Sequence, residues 1–189
     1  MKKVKIENTK KGAPIKRLIA YFIDWYLSAL CFSFAVVMIT SIVQKELIVE
    51  NQLANLPLMA AFIALVLGTL LTVLYFLLPT WLMKEKYAGQ TIGKMIMKLR
   101  IVKDDGSPVD LKALIIRCFI GLILIEGTLN SASNALRTFI SMLAVNAVSQ
   151  VILTLELAIT FLSIVLMFAR PEGKMLHDIL AKTKVIEAE

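Results

Sequence analysis

Histidine occurs once in this chain, at His177, and cysteine twice, at Cys31 and Cys118. A single histidine is too few for a metal centre of the usual kind. Both cysteines fall inside apolar runs, where a thiol behaves as a small buried group and implies neither a disulfide nor a metal. A membrane protease needs paired aspartates or a His-Glu-x-x-His helix within its spans; both are missing, and no Ser, His and Asp stand at a catalytic spacing. The stretch "GQTIGKM" has three residues between Gly89 and Gly93 where a phosphate-binding loop needs four, and Met95 follows Lys94 where that loop needs Ser or Thr. No enzyme activity, cofactor or metal site is expected, and the two glycines read as a turn and a close helix contact.

Apolar surface, by contrast, is abundant. Of the 189 residues 58% are hydrophobic, against about half in soluble domains. Crossing a hydrocarbon core of roughly 30 Å takes about 20 apolar residues. Residues 18–43, 56–83 and 151–169 meet that length, and a fourth run, 111–129, inserts if Arg117 and Glu126 face protein. The expected fold is an all-α membrane protein with four transmembrane helices.

Positive charge is placed unevenly. Of 21 Lys and Arg, 18 lie before the first span, in the inner connection 84–110 with Lys112, or in the tail, whereas the other two connections hold only Lys45 and Arg137. Short basic loops stay on the cytoplasmic side, so both termini are placed inside. The net charge of +7 then needs no nucleic acid, because anionic lipid at the inner face accounts for it. A secretory signal is not expected: the first run exceeds the roughly 7–15 residues of such a segment and carries Asp24, and Leu30 precedes Cys31 where a lipoprotein site needs a small residue.

Local signals divide the chain further. Pro14 suits a first helical turn, Asn55 and Pro57 suit the start of the second helix, and Pro79 should kink its far end. Trp81 and Tyr87 mark the inner interface. In the inner connection, residues 90–98 read as a short interfacial helix, "KLRIV" as a strand, "DDGSP" as a turn and Asp110 as the cap of the third span. The tail "AKTKVIE" alternates as "KLRIV" does, so a small cytoplasmic β pairing is expected. Residues 130–150 form an outer amphipathic segment, with Asn130, Asn134, Arg137 and Ser141 at helical spacing; it either lies on the outer leaflet or extends the fourth span. Residues 1–12 are a basic tail, 13–187 a single membrane domain, and no internal repeat is visible.

Charges inside the spans are the candidate functional residues. Arg17, Tyr21, Asp24 and Ser28 recur at i, i+4, i+7 and i+11 and form one polar stripe. It must face other helices or a wet cavity, since a charge at the bilayer centre costs at least about 2.5 kcal/mol. Arg17 and Asp24 are separated by about 10.5 Å of helical rise and do not meet. Matching depth pairs Asp24 with Arg117, and Arg17 either meets Asp178 at the inner interface or snorkels to lipid phosphate. Glu126 and Glu156 reach a similar depth, about 20 Å from the inner face. Side by side they would keep one proton near neutral pH, as a proton/cation site requires; otherwise each is protonated singly, hydrogen-bonded to Ser and Asn, or faces outer water.

Three blocks, "APIKRLIAYFIDWYL", "GQTIGKMIMKLRIVKDDGSPVDLKALIIR" and "LHDILAKTKV", resemble the RDD family of bacterial integral membrane proteins. The one arginine and two aspartates of the family's name correspond to Arg17, Asp24 and Asp178. The middle block carries its Gly89, Thr91, Gly93 and Lys94, the turn at Asp105 and Gly106, and the arginine of the next span at Arg117. The stretch 128–150 is longer than the family requires. The resemblance implies a multi-pass protein of the bacterial inner membrane, and two activities follow from it. One is cation/proton exchange, moving a monovalent cation and a proton, for which four spans call for a homo-oligomer. The other is a non-transporting scaffold or regulatory subunit that binds another membrane protein.

Overall fold

A computed structural model describes residues 13–49, 52–82, 89–143 and 146–188. The basic tail 1–12 and Tyr87 lie outside the described residues. Helix α1, Pro14–Gln44, begins on its proline and ends at Lys45, whose φ of 58° is left-handed. Its buried positions include Arg17, Asp24, Ser28, Phe32 and Val36, so the polar stripe faces inward. Helix α2, Leu58–Leu77, returns against α1 and widens into a π turn over Leu78–Leu82. The kink expected at Pro79 takes this form. Proline cannot donate a backbone bond, and the Thr80 hydroxyl instead donates to the carbonyls of Phe76 (2.8 Å) and Leu77 (3.0 Å). The cap of α2 is Pro57 and not Asn55, which belongs to a short 3₁₀ turn, Leu53–Asn55.

Next come helix α3, Ile92–Ile96, and strand β1, Leu99–Lys103. Helix α4, Leu111–Ile115, is capped as expected by Asp110, whose carboxylate accepts the Ala113 N–H at 2.8 Å. It continues as a π-helix through Ile116–Ile125, after which the chain leaves helical geometry until Asn130 caps α5, Ser131–Met142. Helix α6, Asn146–Ala169, helix α7, Leu176–Leu180, and strand β2, Thr183–Glu187, complete the chain. Helices α1, α2 with its π turn, and α6 are long and apolar enough to cross a membrane.

The fourth run and the segment after it differ from expectation. Residues 111–129 are not one helix, and residues 130–150 are divided between α5 and the start of α6. Side-chain bonds from the 111–142 limb to α6 run Glu126–Ser163, Thr128–Thr160, Arg137–Glu156 and Ser141–Asn146. One residue number falls as the other rises, so the limb from Glu126 to Ser141 lies antiparallel to α6, and the helix is broken at 126–130. The amphipathicity of α5 is real, but its Arg137 side is turned inward, with Ala132, Ser133, Ala135 and Arg137 buried.

Strands β1 and β2 pair antiparallel with Ile101 opposite Val185 at the centre, the small sheet expected from the sequence. The units around them are built alike. Thr91 and Met175 are extended N-caps, five-residue helices follow, then Lys98 (φ 53°) and Lys182 (φ 51°), then five-residue strands with the same burial pattern. This is a repeat of backbone and hydrogen bonding that retains few residue identities, so the amino-acid sequence conceals it. Among the described residues, three apolar clusters hold the molecule together: Phe32, Ala61 and Ala64 with α5 at the end away from the sheet, Tyr75, Phe76 and Cys118 in the middle, and Ala20, Leu99, Ile101 and Val185 under the sheet.

Candidate functional site

At the sheet end, the buried charges form two adjacent groups, one around Asp24 and one around Asp178, that line one small cavity. Asp24, 2% exposed, accepts from the Tyr75 hydroxyl (2.7 Å), the Thr91 hydroxyl (2.5 Å), the Gly93 N–H (2.8 Å) and Lys94 Nζ (3.3 Å). Four donors on one carboxylate leave it no need of Arg117, so the pairing expected from matched depth does not form. Gly93 is required here by close approach, because a Cβ would press on the Ala20 carbonyl oxygen and lie 2.9 Å from the Asp24 carboxyl carbon. Gly89, at φ 71°, turns the chain so that its carbonyl accepts the Ile101 N–H at 2.7 Å. The Asp105-Gly106 turn is exposed at Asp105 and local, with Asp105 accepting from the Ser107 backbone and hydroxyl; those bonds hold its carboxyl below the ordinary range.

Arg17 reaches Asp178, the partner expected for it, and also donates to the Gly173 carbonyl. Asp178 is fully buried and is shared: Arg117 binds its other oxygen and donates to Thr183 Oγ1 at 2.8 Å. The same carboxylate accepts the Met175 N–H at 2.9 Å, capping α7. Burial works against this carboxylate, but Arg117 and Arg17 outweigh it and hold the carboxyl far below its usual range.

Arg117 also donates to His177 Nε2 at 2.9 Å, and His177 Nδ1 lies 2.7 Å from Glu126. A guanidinium has no acceptor, so Nε2 must accept and the ring proton must sit on Nδ1, donating to Glu126. The histidine is neutral in this arrangement. Among the described residues the two groups together hold Arg17, Lys94 and Arg117 against Asp24, Glu126 and Asp178, which balances.

Glu126 and Glu156 have separate partners and do not form the expected paired site. Glu126 accepts from Ser163 and the His177 N–H, each at 2.8 Å, whereas Glu156 pairs with Arg137. The backbone repeat extends to these carboxylates. Asp24 takes a hydroxyl from α2 and the N–H of the second residue of α3; Glu126 takes a hydroxyl from α6 and the N–H of the second residue of α7. Arg17 to Asp24 is seven residues of α-helix, Arg117 to Glu126 nine residues that are almost all π-helix. The wider π turn holds more residues, so both intervals cover roughly two turns.

Of the polar stripe, Ser28 donates to its own helix at Trp25 O (2.9 Å), and Tyr21 lines a cavity of about 40 Å³ together with Arg17, Asp24, Lys94, Arg117 and His177. A larger, polar crevice of about 270 Å³ lies at the opposite end between Phe32, Gln52, Asn134 and Thr138. On α1 the nearest residues of the two, Asp24 and Phe32, are separated by about 12 Å of rise. Leu27, Cys31, Phe76, Cys118 and Leu122 pack at that level. Sequence reasoning missed Tyr75, Ser163, His177 and Thr183. The first two are legible in the sequence only as isolated polar groups in apolar helices, and a lone histidine gives no sign there of bridging an arginine to a carboxylate.

Comparison with curated proteins and with solved structures gave no match. A family model described as the RDD family matches residues 12–182, which covers Arg17, Asp24, Arg117, Asp178 and the whole Gly89 to Lys94 segment. The chain belongs to the RDD family.

Proposed function

We propose that this protein is a four-span, non-transporting scaffold or regulatory subunit of the bacterial inner membrane, with both termini cytoplasmic, that binds another membrane protein. The uneven distribution of Lys and Arg supports the orientation. The carrying observation is the balance of buried charge among the described residues: at the sheet end Lys94 meets Asp24, Arg17 and Arg117 both meet Asp178, and Glu126 is joined to Arg117 through neutral His177, so three cations stand against three carboxylates, while Arg137 meets Glu156 elsewhere. An ion path needs a group free to exchange its partner, and a layer of apolar side chains lies between the two polar compartments. Helix α6 is the least covered of the long helices and offers Phe161, Leu162, Val165 and Phe168 for contact.

One observation favours the alternative, cation/proton exchange by a homo-oligomer. The 111–142 limb breaks at Glu126, and transporter sites are often built where a spanning helix is interrupted beside a buried charge. Proteoliposomes separate the two readings. Scaffolding expects no cation-dependent proton flux above protein-free vesicles, together with a discrete cross-linked partner from photoreactive groups at Phe161 or Val165 in cells. Flux that disappears in Glu126→Gln overturns it in favour of exchange.

A further inference from the structure

Between α2 and the broken limb runs a groove of about 510 Å³, lined almost entirely by apolar side chains and open to the side. One wall is a single face of α2, Val66, Leu70, Val73 and Leu77; the other includes Ile115 and Phe119, with Ala132 and Ile123 buried beneath. From Leu65 to Leu77 it extends about 18 Å, close to the roughly 15 Å depth of one hydrocarbon leaflet. Two amphipathic groups stand at its sheet-end mouth. Trp81 is one turn beyond Leu77 on α2, and Lys112 is three residues before Ile115, on the same helical face as Ile115 and Phe119. Both are exposed, and neither has a partner among the described residues.

We infer that this groove is a binding site for one anionic phospholipid of the leaflet at the sheet end, with an acyl chain between α2 and the broken limb and the phosphate at Trp81 and Lys112. The length suits an acyl chain, since the groove follows α2 for about 18 Å and one leaflet is roughly 15 Å deep. The mouth selects the head group, since an ammonium and an indole N–H both donate and a phosphodiester accepts.

The test is native mass spectrometry of the purified full chain from micelles supplied with phosphatidylglycerol or phosphatidylcholine. One phosphatidylglycerol per chain should survive activation, and phosphatidylcholine should be retained less. Lys112→Gln should lower phosphatidylglycerol occupancy about fivefold, the contribution of one lysine at an anionic surface. Leu70→Trp, or Val66→Trp should the first fail to fold, should fill the groove and abolish retention, whereas Ile120→Trp, exposed and outside the lining, should not. Retention of both lipids alike, retention unchanged by the groove variants, or a dimer that Leu70→Trp dissociates would each overturn the inference.

Discussion

Asp178→Asn is the sharpest perturbation of the buried network. The carboxylate is fully buried and binds Arg17 through one oxygen and Arg117 through the other. The amide keeps the shape and an acceptor for the Met175 N–H but leaves three cations, Arg17, Lys94 and Arg117, against Asp24 and Glu126. Breaking a buried pair by removing one partner costs about 3–5 kcal/mol. At about 2–4 °C per kcal/mol for a chain of this size, the midpoint of thermal unfolding should fall by roughly 6–20 °C. Adding Arg17→Met restores two cations against two carboxylates. The double variant should therefore unfold at a higher temperature than Asp178→Asn alone, although it has lost one more interaction. Unfolding in micelles followed by tryptophan fluorescence and by size-exclusion chromatography measures both. A single variant within about 1 kcal/mol of wild type, or a double variant no better than the single, would refute the charge-balance reasoning.

Other predictions concern the same frame. Exchanging Asp24 and Arg117 by double charge reversal should recover no more folded protein than either single reversal, because the two do not pair. Gly93→Ala should cost about 1–3 kcal/mol through contact with the Ala20 carbonyl and Asp24, read as a lowered unfolding midpoint. Since the Asp178 carboxyl is depressed in the folded state, its contribution is complete above the ordinary carboxylate range and is lost as pH falls through that range toward the folded value. Wild type should thus lose stability on acidification from about pH 5 downward, and Asp178→Asn should show a shallower loss. In a background lacking Cys31 and Cys118, Arg100→Cys with Ile186→Cys should form a disulfide, since these residues are directly opposed across the sheet, and Arg100→Cys with Lys184→Cys should form far less.

The sequence by itself determined three helices long and apolar enough to span, the inward side of α1, its start at Pro14, the cap at Asp110, and strands at "KLRIV" and "AKTKVIE". Each follows from a periodicity or a local preference that a few neighbouring residues settle. Arg17 with Asp178 was also within reach, because both sit at helix boundaries whose depth is countable. Depth failed for Asp24, Glu126 and Glu156 because it constrains height in the bundle and not direction around the helix axis. Tertiary structure alone decided that Asp24 is saturated by Tyr75, Thr91, Gly93 and Lys94, that His177 bridges Arg117 to Glu126, and that Arg137 turns inward to Glu156. It also decided where the limb after Asp110 widens into π geometry and breaks, which shifts Glu126 away from the position a regular helix would give it. These depend on which surfaces meet across large separations in the chain, and a polar group in an apolar helix carries no record of its partner until the helices are packed.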